Sequence, residues 1–246
     1  MNIEITVALI GILSTCLTQL VAQFLFRLRE KKVRNDELII RYLEPLKRQL
    51  AANIKKQRQV QRRKKIRKEN NSIRVIAGRV MKTVEDMEGV KLEWFYEDGA
   101  NLGSSCYQLA CLIAYVYQID HYMTFVNFPR EQRRYIRNYI DEFQEILDKN
   151  HGIYQTSQFD IGNLMFAREG KSGYERLISY DEFCRKAQDL HINCCLAQLF
   201  NFILSIANEG WEEKEYDEQS RTMQWEKFLR LLEEFQVYLE EIVPYS

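Results

Sequence analysis

Residues 102–119 read Leu-Gly-Ser-Ser-Cys-Tyr-Gln-Leu-Ala-Cys-Leu-Ile-Ala-Tyr-Val-Tyr-Gln-Ile, eighteen positions without a charge. Ser104 or Ser105 can cap the start of a helix here. Tyr107, Leu109, Leu112, Ile113, Val116 and Ile119 spread around the axis, as in a helix buried on all sides. A membrane span is the competing assignment, for this run and for the apolar stretch 190–208. Both runs carry Tyr, Cys, Asn, Gln or His. A three-span topology would also place Arg130, Arg133, Arg134 and Arg137 on the outer side, against the tendency of basic loops to stay inside. The run is therefore expected to be the central helix of a bundle.

The flanking sequence fits that expectation. Asn127 and Pro129 open a helix with the stripe Tyr135, Ile136, Tyr139, Ile140, Phe143, Ile146 and Leu147, which stops at Asn150-His151-Gly152. Residues 153–179 are the least regular, with one short helix over 158–166. Ser179 and Glu182 have capping-box spacing, which predicts a long helix from about Tyr180 to about Asn208. The last helix carries a packing seam, Trp225, Phe228, Leu232, Phe235, Leu239 and Ile242, that suits a partner helix within the bundle or across a dimer. Upstream, Glu88-Gly89 and Glu97-Asp98-Gly99 mark breaks, with Trp94, Phe95 and Tyr96 as expected core anchors between them. Asn70-Asn71-Ser72 reads as a turn or cap before a helix over 73–87. Pro45 either kinks a helix bearing Leu43, Leu46, Leu50 and Ile54 or starts a new one near Glu44. No alternation supports a sheet of any size.

Charge is segregated along the chain although the formal net charge is zero. Residues 27–74 hold 18 basic and 5 acidic side chains, residues 75–208 hold 13 and 18, and residues 209–246 hold 4 and 11. The densest block is Lys55, Lys56, Arg58, Arg62, Arg63, Lys64, Lys65, Arg67 and Lys68, without an acid among them. Its uses are attachment to anionic lipid or an acidic protein surface, a solvated helix that pairs with the acidic C-terminal region, or nucleic-acid binding. The last is the least supported, because no aromatic residue is interleaved for base stacking.

Residues 5–26 are uncharged and are followed at once by Arg27, Arg29, Lys31, Lys32 and Arg34. At ~1.5 Å per residue such a run reaches roughly 33 Å, enough to cross a ~30 Å hydrocarbon layer. The basic flank follows the apolar run, the reverse of a cleaved signal peptide. It predicts an integral membrane protein with one span, its N-terminus outside and its C-terminal domain cytoplasmic. Gly11, Ser14, Thr15, Thr18, Gln19, Ala22 and Gln23 form a small and polar edge through which two such helices can associate, or whose hydroxyls bond their own backbone.

The expected architecture is all-α: a single N-terminal transmembrane helix (1–26), a basic juxtamembrane helical arm (27–74) and a cytoplasmic helical bundle domain (75–246). Catalytic signatures are weak. Gly170-Lys171-Ser172 ends like a phosphate loop, but Met165 stands where the first glycine belongs. His191, Cys194 and Cys195 share a helix face without a second ligand pair, so no metal is expected. Asp120-His121 with Cys106 or Cys111 could form a base and a nucleophile only if the fold joined them. The sequence leans away from an enzyme and implies no cofactor. It points to a membrane-anchored interaction or scaffold protein, a possible homo-oligomer. The alternative is a membrane-tethered sensor-effector that binds a small ligand or nucleic acid, with Asn193, Gln198 and Asn201 facing the Tyr-rich 107–117 helix.

Overall fold

The computed structural model describes residues 19, 21–30, 32–33, 39–70, 89–123, 128–150, 152–169, 174–190, 192–208 and 215–243, and only the backbone of 60–70, 122, 150, 168–169, 174, 205–208 and 215–225. The fold is all-α with one small hairpin. A π-helical turn over Ile39–Leu43 leads into α1, Glu44–Asn70. A 3₁₀ turn, Leu92–Phe95, precedes α2, Ala100–Tyr122. Then follow α3 (Arg130–Glu145, extended by a π turn over Ile146–Asn150), α4 (Gln155–Met165) and the strands β1 (Phe166–Glu169) and β2 (Tyr174–Leu177). The last three helices are α5 (Tyr180–Ala187), α6 (Cys194–Asn208) and α7 (Glu215–Ile242).

The uncharged run is the central helix. Leu102, Cys106, Leu109, Ala110, Cys111, Leu112, Ile113 and Ala114 on α2 are all buried, on every side of the axis. α1, α4 and α6 pack around it. The approach of α4 is close because Gly162 has no side chain: a Cβ there would lie 2.7 Å from the Tyr117 ring. Two tyrosines tie α2 and α5 to their surroundings through single polar tips. Tyr107 Oη donates to the Ile178 carbonyl at 2.9 Å, and Tyr180 Oη donates to the Phe95 carbonyl at 2.9 Å. Their rings sit 5.4 Å apart in an edge arrangement, which adds aromatic contact to area burial.

Pro45 falls in the first turn of α1, where its missing N–H is harmless. The first half of α1, placed by charge in the basic arm, is a core element: Leu43, Leu46, Leu50 and Ile54 are buried. Its partner is α7, which runs antiparallel to it. Lys47 Nζ donates to Glu44 Oε1 and to the Val243 carbonyl, both at 3.1 Å, and Arg58 pairs with Glu233 at 2.6 Å. Asn53 Nδ2 donates to the Gln108 carbonyl at 2.8 Å, which locks α1 to α2. The physical reason is periodicity. Apolar residues four apart bury one face of a helix whatever the charge on the opposite face. The boundary between 74 and 75 is thus not where packing begins.

The α7 seam packs inside the bundle. Phe228, Leu232, Phe235 and Leu239 are buried and Ile242 is packed against the core, while the Trp225 side chain lies outside the described residues. Phe235 stacks on Tyr139 of α3, with ring centroids 4.8 Å apart.

Three expectations need correction. The long helix over 180–208 is two helices. The Ser179 capping box starts α5 as expected, but α5 ends at Ala187. The connector turns because Asn193 Nδ2 donates to the Lys186 and Asp189 carbonyls and Asp189 Oδ1 accepts from Ile192 N–H. Such short polar side chains compete with the helix for backbone partners. Residues 166–177 contain a hairpin, with Phe166 opposite Leu177 and Glu169 opposite Tyr174. Each strand has four residues, too short for a period-two pattern to show. Tyr96 is exposed rather than a core anchor, its hydroxyl donating to Asp181 Oδ1 at 2.8 Å, while Phe95 is fully buried.

Among the described residues no helix is long and apolar enough to cross a membrane. The expected span lies outside the described residues apart from positions 19 and 21–26, and the expected helix over 73–87 lies wholly outside them. Residues 21–30 are helical with every side chain exposed.

Candidate functional site

Among the described residues, charge gathers around a cavity on α3. Its hydrophobic face, Ile136, Ile140 and Phe143, is buried against the bundle. Arg130, Arg133, Arg134 and Arg137 follow the spacing i, i+3, i+4, i+7 and are exposed. That spacing puts four guanidinium groups on one side of a rigid helix. They line a cleft of about 600 Å³ together with Glu131, Asp120 and the buried Met123 near the end of α2. Arg137 is paired with Asp120 across the cleft. Arg130 and Arg134 have no ion-pair partner among the described residues.

This charge order opposes helix electrostatics. The start of a helix is its positive end, and there carboxylates are favoured and cations disfavoured. α3 carries arginines at its start and Asp141, Glu142 and Glu145 toward its end. Only Glu131 answers the dipole in the first turn. Folding accounts for Arg137 through its pair with Asp120, but the helix end gives no reason for Arg130 and Arg134, which is the usual mark of residues kept for another purpose.

Beside this cleft the second half of α3 and α7 form an acidic, aromatic groove of about 390 Å³, lined by Tyr135, Tyr139, Glu233, Glu234, Val237, Tyr238 and Glu241. Tyr135 stacks on Tyr238 at 4.6 Å. Burial raises the Tyr139 hydroxyl to about 12, so it stays neutral and can donate.

Among the described residues, those singled out by sequence do not converge. In the basic block, Lys55 is exposed, Lys56 donates to Ser104 Oγ at 2.8 Å and Arg58 pairs with Glu233. The side chains of Arg62, Arg63, Lys64, Lys65, Arg67 and Lys68 lie outside the described residues. Of the association edge in the apolar segment, Gln19, Ala22 and Gln23 are exposed on helix, while Gly11, Ser14, Thr15 and Thr18 lie outside the described residues. Asn193 is spent on the α5–α6 connector, the Gln198 side-chain oxygen accepts from Tyr154 N–H at 3.2 Å and Asn201 is exposed, so the three do not face the α2 tyrosines as a pocket.

The thiol chemistry is equally unpromising for a nucleophile. Burial pushes the Cys106 thiol well up and raises Cys111 to about 12, the reverse of an activated thiolate. Asp120 serves Arg137, and His121 lies over the Tyr117 ring. Cys184 and Cys195 are raised to about 11, again by burial. Among the described residues no group of three His, Cys, Asp or Glu side chains could hold a metal ion, and His191 lies outside them. Met165, at the position where a phosphate loop needs its first glycine, ends α4, while Gly170-Lys171-Ser172 lies outside the described residues. The paired acids at 181–182 are structural. The Arg176 guanidinium and the Ser179 backbone hold Glu182 down at about 2, and Arg185 pairs with Asp181 at 2.8 Å.

The arginine face of α3 was visible in the sequence as a basic i, i+3, i+4, i+7 set. What the sequence did not show is the cleft beside it, because Asp120 and Met123 reach it from another helix. No family model matches the chain, and no curated protein or solved structure similar to it was found.

Proposed function

We propose that the chain is a membrane-anchored helical interaction module. Residues 5–26 form its single span with the N-terminus outside, and the helical domain faces the cytoplasm. The observation that supports this is the helix over 21–30. Its apolar side chains are uncovered, from 47 % exposure at Leu28 to 63 % at Phe26, and Arg27 and Arg29 stand in its last turn. Consecutive exposed Val, Phe and Leu side chains call for lipid or another apolar surface. The small and polar edge Gly11, Ser14, Thr15, Thr18, Gln19, Ala22 and Gln23 then serves self-association, and the basic block meets anionic headgroups or an acidic protein surface.

Membrane insertion is tested by alkaline carbonate treatment of membranes from cells expressing the full chain. The chain should stay in the pellet, and a protease added to sealed cells should leave the C-terminal half intact. Release into the supernatant, or external digestion of that half, refutes the anchor. Self-association is tested by crosslinking in mild detergent. Dimers or larger species should form and should weaken in a Gly11→Leu/Ser14→Leu variant.

The helical domain can in addition act as the sensing part of a sensor-effector, binding a small ligand or nucleic acid and signalling through the span. The arginine-lined cleft on α3 favours this over a scaffold with charged patches alone.

A further inference from the structure

We propose that the cleft at the start of α3 binds a small ligand carrying several phosphates, of the nucleoside di- or triphosphate class. This specifies the ligand for the sensor-effector role just described, and it rests on that role.

Size is the first argument. The cleft has about 600 Å³, within the roughly 300–1,000 Å³ range of small-molecule sites. Charge is the second. Four arginines face two carboxylates, and one of those, Asp120, is occupied by Arg137. The lining keeps a formal excess of two positive charges, which a polyanion can neutralise. Guanidinium groups bind phosphate oxygens in pairs and also stack on flat rings, so one set of arginines can hold both ends of a nucleotide. The buried Met123 adds an apolar patch to the lining.

Rigidity is the third argument. The arginines stand on a helix whose apolar face is fixed in the core by Ile136, Ile140 and Phe143. Their mutual repulsion is not relieved by the helix end they occupy, and a bound anion relieves it. The surroundings favour a small ligand over a long one. Asp141, Glu142 and Glu145 follow on the same helix, and Glu233, Glu234 and Glu241 line the neighbouring groove. A nucleic acid or an anionic bilayer laid across this face would meet those carboxylates, whereas a nucleotide ends before them.

The test uses the full chain in a nonionic detergent, with equilibrium dialysis of radiolabelled ATP, inorganic tripolyphosphate and adenosine. ATP and tripolyphosphate should bind and compete with each other, and adenosine alone should not bind measurably. The variant R130E/R134E should lose roughly tenfold or more in ATP affinity, the scale expected when two charge-assisted contacts are removed. Glutamate suits the first turn, where Arg130 stands, and Arg134 is exposed one turn on, so the helical circular dichroism should be unchanged. R130Q/R134Q should show the same loss without charge reversal. R230E, on an exposed part of α7, should bind as the parent does.

Equal ATP affinity in the parent and in both double variants overturns the site. Displacement of ATP when phosphatidylglycerol is added to the micelles overturns it in favour of lipid headgroups. Binding of single-stranded RNA without binding of ATP or tripolyphosphate overturns the small-ligand assignment and leaves the wider sensor-effector role standing. Binding of none of these probes removes both.

Discussion

The two halves of α1 lie on one continuous helix, yet they have different physics. From Glu44 to Gln57 the helix buries Leu46, Leu50, Asn53, Ile54 and Gln57 and is bonded to α2 and α7. From Arg58 to Asn70 the sequence holds seven Lys or Arg residues, and among the described side chains the last tie to the bundle is the Arg58–Glu233 pair. Charge density and packing change at different places. Charge rises from Lys55, while burial continues to Gln57. A basic flank is therefore a poor guide to where a domain begins, because a helix can hide one face and charge the other.

The sharpest way to break this comparison is Leu50→Ala. Leu50 is fully buried, and truncation there should cost about 2–5 kcal/mol in urea unfolding of the domain. Lys55→Gln, one turn later on the exposed side, should change stability by less than ~0.5 kcal/mol. Similar costs at both positions would mean that the first half of α1 is not a core element.

Gln57 marks the turning point and gives the next largest effect. It is fully buried, and neither amide atom has a hydrogen-bond partner among the described residues. An orphaned buried amide costs about 1–3 kcal/mol, so Gln57→Leu should raise stability by up to that amount. A loss of stability instead would show that the amide is partnered in solution. Asn53→Ala should do the opposite, because Asn53 Nδ2 bonds the carbonyls of Gln49 and Gln108. Smaller still is the Arg58–Glu233 pair. Both groups are partly exposed, so a double-mutant cycle should give about 0.2–1 kcal/mol, falling as salt is added.

A pH titration separates the bundle's polar caps from α1. Glu182 is held at about 2 by Arg176 and the Ser179 backbone, below its ordinary value of 4.5. A carboxylate with a depressed folded-state value contributes stability above its unfolded value and loses it as pH falls through the folded one. The Glu182 contribution should therefore be complete above about pH 5 and gone near pH 2. Glu182→Gln should flatten that part of the acid unfolding curve. Thiol labelling at pH 8 gives the smallest and simplest contrast. The exposed Cys194 should react with iodoacetamide well before the buried Cys106 and Cys111, whose thiols burial keeps protonated.

Much of the helical layout was legible beforehand. Pro45 left a kink or a start near Glu44 open, and the structure has the start; the Ser179–Glu182 pair marked α5, and Gly152, with φ of +68°, marked the stop after α3. These are local signals, complete within four or five residues. The hairpin and the turn between α5 and α6 were not legible. The first has four-residue strands held in place by Met165, Tyr115 and Ile178 from outside the pairing. The second depends on side chains of Asn193 and Asp189 finding particular carbonyls and amides.

From periodicity, caps and breakers alone, the chain is a set of amphipathic helices around one uncharged helix, because those signals report which face must leave water. Only the tertiary structure decided which faces meet. It turned the α7 seam inward against α1 and α3, and it drew the first half of the basic arm into the core. It also brought Asp120 and Met123 beside the arginines of α3. Burial is a requirement that many partners can satisfy, and the choice among them is made by the geometry of whole helices, which no local stretch of sequence contains.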